Sequence, residues 1–553
     1  MDWQRNLLIS AIIVVLALLF IRWNEFKEVH SPVVADISSE EIVLPEGGNT
    51  PGSEGTNPDG IPSAGSDEHA SGSSTTDSRL IVLTSDTLEL TIDTLGGDIV
   101  KTALLRFPQS QEEGAKPVVI LNRTADSTYV AQSGLIGTNG TDTNAGRPRY
   151  SVAADKFVLA EGQDELAVDL TLDQGEVSIT KRFVLRRGDY LVDVDYLVNN
   201  GSSSEWSASL FGQIQRDSQL PGAGTKAPGM SPYVGAAITT PETNYKKVKF
   251  SDLKDEPFKV TDKGGWVAMV QHYFISAWVP DQEKENQFSL KRLGDRDLYT
   301  FGFISPTLSV PAGGTGKVSS SFYVGPKDQY RLEKISRYLD LTVDYGWLWW
   351  IAKPIFYFMT FIHSVIGNWG WSIILLTVFI KALFFQLSAT SYRSMAKMRK
   401  LQPEMARLRD LYGDDRQKLS QEMMGFYKRE KVNPMGGCLP ILIQMPVFIA
   451  LYWVLSESVE LRQAPWILWI TDLSIKDPYF VLPVLNGIGM YLNTLLQPEP
   501  PDPTQAKIMK IMPVAFSFMF AFFPAGLVLY WTINSALSIL QQWLITRSIA
   551  KAA

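Results

Sequence analysis

Cysteine is almost absent. Cys438 is the only one in 553 residues, so no intramolecular disulfide can form and no Cys-based metal cluster can assemble. Histidine is scarce as well. His30, His69, His272 and His363 stand far apart, which argues against a His-rich metal site. No G-x-x-x-x-G-K-[ST] run occurs, so no P-loop nucleotide chemistry is read, and no cofactor or metal is expected. The formal charge of −7 offers no basic surface for nucleic acid. A local absence carries most information: the long apolar stretches of the C-terminal third contain no Asp or Glu.

The chain is too long for one ordinary domain, so at least two folding units are expected. Its 45% hydrophobic and 20% charged residues look like a soluble average, yet the apolar residues are concentrated at the N-terminus and in the last third. Residues 7–21, LLISAIIVVLALLFI, are almost wholly apolar and are bracketed by Trp3 and Trp23 as interface aromatics. A cleavable signal peptide is the competing reading, but FIRWNEFKEV holds no A-x-A-like site. Residues 1–25 are therefore read as a retained anchor. Residues 26–78 follow as a flexible linker, because 45–78 is dominated by Gly, Ser, Thr, Pro, Asp and Asn and cannot bury a core.

Residues 79–330 read as strands, within a domain placed at 79–340. Leu88, Leu90 and Ile92 alternate with polar residues, as do Leu166, Val168, Leu170 and Leu172, then Val177 and Ile179, then Tyr190, Val192, Val194 and Tyr196. Period-two alternation marks half-buried antiparallel strands. Leu95-Gly96-Gly97-Asp98 and Asn199-Asn200-Gly201 supply turn signals. A large β-sandwich is the simplest architecture. Residues 341–370 are aromatic-rich around Lys353-Pro354 and fit an interfacial elbow helix.

Apolar spans are placed near 371–388 (with its flank, 371–390), 438–456 and 479–497. The block 507–547 would be roughly 60 Å long as one helix, twice a hydrocarbon core. Phe523-Pro524-Ala525-Gly526 near its middle divides it into two. With the anchor this makes six spans, the last four within 435–553. Residues 389–434 hold eleven Lys and Arg against six acids, which puts this loop in the cytoplasm with both termini. The sandwich then lies on the opposite face, the periplasm of a Gram-negative host. Within 391–434, Met395, Met398 and Met405 lie on one helical stripe and Met423 on a second, with Gly413-Asp414-Asp415 as turn and cap. These stripes either pack on each other or form a deformable surface for varied apolar partners.

Lys381 is the most informative residue. A charge inside a span is costly and marks a functional site by default. Thr377 and Ser388 share its helical face, and Trp531, Asn534, Ser535, Ser538, Gln541 and Gln542 recur at helical spacing in the last span, with Gln444 in the third. Polar faces on several helices can enclose a water-filled space, where such a charge is tolerated. The alternative is snorkelling, in which the ammonium reaches the headgroups. Lys381 lies about 10 Å inside a span that ends near 388, which is long for that reach.

These segments resemble the YidC family of bacterial inner-membrane insertases. RSMAKMRK at 393–400 with LQPEM, the run GDDRQKLSQEMMGFYKREKVNPMGGCLPILIQMPVFIALYWVL at 413–455, SVELRQAPW at 458–466 and FPAGLVLYW at 523–531 carry the likeness. It covers about 345–547; the large domain after the first span fits the Gram-negative members of the Oxa/Alb superfamily. The resemblance implies an α-helical polytopic membrane protein with a five-helix core, a cytoplasmic helical hairpin and a large periplasmic β-sandwich like that of galactose mutarotase. It implies a hydrophilic groove, open to cytoplasm and lipid, with a cation that is usually Arg and here falls on Lys381. Thr377, Gln444, Tyr530 and Trp531 match positions that line the groove or contact clients. The implied activity is insertion and folding of inner-membrane proteins, without covalent catalysis. The implied partners are nascent membrane proteins, ribosome–nascent chain complexes, the Sec translocon with SecDF, and membrane lipids. Competing readings are a transporter or channel with Lys381 as anion site, a Ser–Lys membrane protease, and a sugar-modifying sandwich, for which His272 is the lone sandwich histidine.

Overall fold

The computed structural model describes residues 79–143, 146–219, 232–254, 256–413, 415–430, 439–497 and 503–552. The anchor at 7–21 and the linker at 26–78 lie outside the described residues.

From Leu80 to Pro326 the described chain forms twenty strands in two sheets of eleven and nine. Alternation drives this. In Leu191–Asn200, Val192, Val194, Tyr196 and Val198 are buried while Asp193 and Asp195 face outward. This strand pairs antiparallel with Val177–Arg186 and Thr315–Pro326, setting Val194 opposite Phe183 and Ser320. The strands expected around Leu88, Leu166, Val177 and Tyr190 are all present. The turn expected at Asn199-Asn200-Gly201 falls slightly later, because Asn200 stays in the strand and its amide donates to the carbonyls of Ser204 and Val310 at 2.9 and 3.0 Å.

The sheets are tied face to face. The Tyr129 hydroxyl meets Ser276 Oγ at 2.6 Å and Trp278 Nε1 donates to the Gln213 carbonyl at 3.1 Å. Between them lies a buried charge cluster. Arg147 bridges Asp98 at 2.9 Å and Asp142 at 2.7 Å. Lys181 Nζ donates to the carbonyls of Gly96 and Ser133 at 3.0 Å. Burial pushes the Lys181 pKa down to about 7, against the pull of Asp98. Gly97, at φ 64°, passes so close that a Cβ would meet the Lys181 side chain at 2.8 Å, so this turn requires glycine on two counts.

The remainder is helical. A short helix α1 (Gln329–Ile335) is capped by Asp328, and α2 (Trp349–Ile366) runs unbroken through Pro354. The elbow helix does not stand apart: Phe358 packs on Phe379 at 4.5 Å between ring centroids. Then come α3 (Trp369–Leu383), α4 (Phe385–Tyr412), α5 (Arg416–Arg429), α6 (Leu439–Glu457), α7 (Val481–Leu496), α8 (Pro503–Phe520) and α9 (Ala525–Ala552). Helix α9 packs on α3, α4 and α7. Asp415 caps α5 by accepting from the N–H groups of Gln417 and Lys418 at 3.0 Å, closing the expected hairpin. The expected break at Phe523–Gly526 is present and pinned, since the N–H groups of Ala525 and Gly526 donate to the carbonyls of Ile475 and Leu473.

One element differs. The stretch 371–388, expected as one span, is broken at Phe384, where ψ moves to 11° and the axis bends by 65° between α3 and α4. This bent pair meets the length and hydropathy of a span; no single helix among the described residues is long and apolar enough to cross a membrane.

The sandwich is seated on the helices by a sealed ion pair. Lys327 Nζ, just past the last strand, meets Glu457 Oε2 at the end of α6 at 2.6 Å, with side-chain exposures of 1% and 0%. Beside it, His272 Nε2 meets the Ser456 carbonyl at 2.8 Å. Burial, with the Lys327 charge, pushes the His272 pKa down to about 4, so the lone sandwich histidine is a neutral junction residue. Arg462 and Gln463 donate to the Pro108 carbonyl at 2.7 and 3.0 Å.

Arg147→Met leaves Asp98 and Asp142 without their shared cation. Breaking a buried charge network costs about 3–5 kcal/mol, which lowers the melting temperature of a domain this size by roughly 6–20 °C. Circular dichroism melts of the full chain in detergent read the effect directly; an unchanged transition would mean that the cluster does not support the sandwich.

Candidate functional site

Helices α3, α4, α6, α7, α8 and α9 surround a cavity of about 640 Å³. Its polar wall comes mainly from α9, where Trp531, Asn534, Ser535, Ser538 and Gln542 recur every three or four residues and so share one face. Lys381 enters from the last turn of α3, and among the described residues it is the only charged one on the lining. Its residue exposure is 6%.

The hydrogen bonds form a chain. Lys381 Nζ donates to Ser538 Oγ at 2.8 Å, and Ser538 Oγ donates to the Asn534 carbonyl at 2.8 Å. Tyr392 of α4 bonds the same serine. Gln541 Nε2 reaches the Lys381 carbonyl at 3.4 Å. Further along, Gln444 Nε2 donates to Asn534 Oδ1 at 2.8 Å, and the Tyr530 hydroxyl bonds Gln444. Asn493 of α7 donates to the Ser535 carbonyl at 3.3 Å. Trp531 stacks edgewise on Phe448 at 4.5 Å and packs on Phe520 at 5.3 Å. Its buried indole N–H has no hydrogen-bond partner among the described residues.

The structure therefore brings together Lys381, Gln444, Tyr530, Trp531, Asn534 and Ser535. Thr377 is different. It is fully buried and its hydroxyl donates to the Ile373 carbonyl at 2.6 Å, off the cavity wall. The hairpin methionines also divide. Met395 and Met398 line the cavity, whereas Met405 and Met423 do not, Met405 being buried elsewhere on α4. Lys381 stands two residues before the end of α3 at Leu383, about 3 Å short of the break, and its ammonium turns inward to Ser538 of α9.

Several lining residues were not foreseen. Asn493, Thr494 and Gln497 close α7, and Ser391 and Tyr392 follow the bend. The α7 residues carried a readable signal, three polar side chains at the end of an apolar run. The α4 pair did not, because the 65° bend is what aims them. Met445, Met490, Met509 and Met512 complete a methionine wall with Met395 and Met398. No group of three or more His, Cys, Asp or Glu among the described residues could hold a metal ion.

Residues 80–358 match the family model described as the YidC periplasmic domain, and residues 361–552 match that of the 60Kd inner membrane protein. The chain belongs to the YidC family. A YidC relative from Cellvibrio japonicus, named "Membrane protein insertase YidC", is 54% identical over 100% of this chain and 99% of its own. One of the same name from Saccharophagus degradans is 50% identical over 100% of both chains. Among solved structures, an active YidC insertase with its first transmembrane domain resolved covers 84% of this chain and 92% of its own, at 19% identity and a TM-score of 0.37.

The Gln444–Asn534 bond can be tested by a double-mutant cycle. Asn534→Leu leaves a half-buried amide short of a partner and costs about 1–3 kcal/mol. Thermal melts of Asn534→Leu, Gln444→Leu and the double variant should give a coupling of about 0.5–3 kcal/mol. Strict additivity would mean that the two amides do not interact.

Proposed function

We propose that this chain inserts proteins into the bacterial inner membrane, as the names of its relatives state for them, using the Lys381 cavity as a hydrophilic groove. A single observation carries the reading: among the described residues, one ammonium with no carboxylate on the lining is presented to a cavity otherwise walled by hydroxyl, amide, aromatic and methionine side chains. A client's short acidic or polar tail enters the groove and meets Lys381 while its apolar segment stays in lipid. The tail thereby crosses a shorter stretch of hydrocarbon, and release follows from hydrophobic transfer of the apolar segment at roughly 0.8 kcal/mol per buried methylene. No covalent step and no nucleotide are needed.

In this reading the chain has six spans: the N-terminal anchor, the α3–α4 pair, and α6 to α9. The division is anchor 1–25, linker 26–78, sandwich 79–340, elbow 341–370, second span 371–390, hairpin 391–434 and the remaining spans 435–553. The basic hairpin and both termini face the cytoplasm and the sandwich faces the periplasm. Clients are nascent membrane proteins, arriving alone, from ribosomes, or beside the Sec translocon and SecDF. Thr377, behind the groove wall, acts by holding α3 rather than by touching clients, and Met395 and Met398 are the hairpin residues that clients meet. Ten residues separate Trp371 from Lys381, about 15 Å along a helix. If Trp371 marks one interface, Lys381 lies near the bilayer centre.

The test is insertion of a short single-span client with an acidic tail into vesicles holding the purified protein. Lys381→Ala should slow insertion by about ten- to a hundredfold, the equivalent of losing a charged hydrogen bond of about 1.5–3 kcal/mol, and Lys381→Arg should retain it. Normal insertion by Lys381→Ala would remove the groove reading. Anion flux through the same vesicles, lost with Lys381, would favour a channel instead. For orientation, Lys418→Cys and Glu161→Cys in a Cys438→Ser background should react with an impermeant maleimide from opposite faces of the membrane. Reaction from the same face would refute the assigned topology.

A further inference from the structure

The segment 462–480, joining α6 to α7, concentrates backbone strain. Four non-glycine residues among those described have positive φ, and three lie here: Gln463 at 58°, Leu468 at 52° and Phe480 at 56°. Left-handed backbone is sterically disfavoured for residues with a Cβ and persists where the surroundings over-determine it.

The surroundings do so. Within the segment, the Trp466 N–H donates to the Ile470 carbonyl at 2.9 Å and the Leu473 N–H to the Ala464 carbonyl at 3.0 Å. Trp469 Nε1 donates to Asp477 Oδ1 at 3.0 Å. From the sandwich, Gln111 Nε2 donates to the carbonyls of Gln463 and Thr471 at 3.2 and 2.6 Å. From the helices, Asn368 Nδ2 donates to the Pro465 carbonyl at 3.3 Å, and Gly370 lies so close beneath Trp466 that a Cβ would approach its ring to 2.1 Å.

This rigid frame holds apolar side chains outward. Leu468 is 80% exposed, Tyr479 69% and Ile475 50%, with Ile467 and Phe480 also exposed. A contiguous exposed apolar patch on a rigid support marks an interaction surface. It continues onto α3, where Trp371 meets Trp466 edge-on at 6.0 Å and is itself exposed, followed by exposed Leu375, Val378 and Phe379.

We propose that segment 465–480 is a lipid anchor, inserted into the leaflet that faces the sandwich; this rests on the membrane placement proposed above. The occupant is phospholipid, because the patch adjoins, at the Trp466–Trp371 contact, the exposed apolar residues of the bent helix pair that has the length and hydropathy of a span. Its chemistry is also graded as an interface requires. Exposed Tyr479 has an apolar body with a polar tip for the headgroup boundary, Ile467 and Leu468 supply the hydrocarbon-seeking tip, and exposed Lys476 suits lipid phosphates. The anchor fixes the depth of α3, and with it the depth of Lys381.

The test uses the full chain with Cys438→Ser and Leu468→Cys, labelled with bimane and reconstituted in phosphatidylethanolamine–phosphatidylglycerol vesicles. Tyr479→Cys replaces Leu468→Cys if that variant does not fold, and Glu161→Cys is the aqueous control. Lipids bearing a nitroxide high on the acyl chain should quench the label at 468 at least threefold more than at 161, while iodide quenches it at most a third as well. Introducing Leu468→Asp beside an Ile467→Cys label should lower lipid quenching at least threefold. Iodide quenching equal to the control would overturn the anchor by placing the loop in water. Absence of quenching by either agent would overturn it by showing a protein cover. Insertion by Lys381→Ala, measured separately, reports on the groove: a lipid-quenched label with a fully active Lys381→Ala keeps the anchor and removes the groove, and the converse pair of results does the opposite.

Discussion

An ammonium enclosed by packed helices needs a counter-charge, water or a set of oriented dipoles. Lys381 has an oriented hydroxyl. Ser538 accepts from it and donates its own hydrogen bond to the Asn534 carbonyl, one turn back along α9. That arrangement requires α3 and α9 to meet, requires the polar residues of α9 to face α3, and leaves the remaining donors of the ammonium turned to the cavity. The Gln444–Asn534 bond then ties α6 to the same face. The cavity exists because these polar groups face one another across a bundle that is apolar elsewhere.

A second enclosed lysine shows the opposite solution. Lys327 is sealed against Glu457 with almost no exposure on either side, so it is neutralised as a pair and has nothing to offer a visitor. Such a pair is weak as a source of stability but costly to break, which suits a fixed joint between sandwich and helices. Lys381 has no such partner on its lining among the described residues. One lysine is spent on architecture, whereas the other is left available.

Much of this was legible. Strands announced themselves by alternation, as in Leu191–Asn200, and helices α6 to α9 by apolar runs whose ends agree with the sequence reading within a few residues. The polar face of α9 was visible as a helical repeat. What escaped was decided by backbone geometry that no spacing rule encodes. The bend at Phe384 interrupts an apolar run with no Pro or Gly to flag it, so the run reads as one straight helix through Ser388. Thr377 shares the Lys381 side by periodicity, yet its hydroxyl closes on its own backbone at Ile373, a choice open to any helical threonine. The Lys327–Glu457 pair joins residues 130 apart, and nothing local foretold it.

The break at Phe384 also makes a pivot. Beyond it, α4 continues for 28 residues through Pro403, about 42 Å at the helical rise. A tilt of roughly 5° about the break carries the tip near Tyr412 through about 4 Å, yet moves Ser388 by only about 0.5 Å. Displacement about the break is therefore smallest where α4 lines the cavity and grows toward the hairpin turn, so the two ends of one helix differ in how far the same tilt carries them.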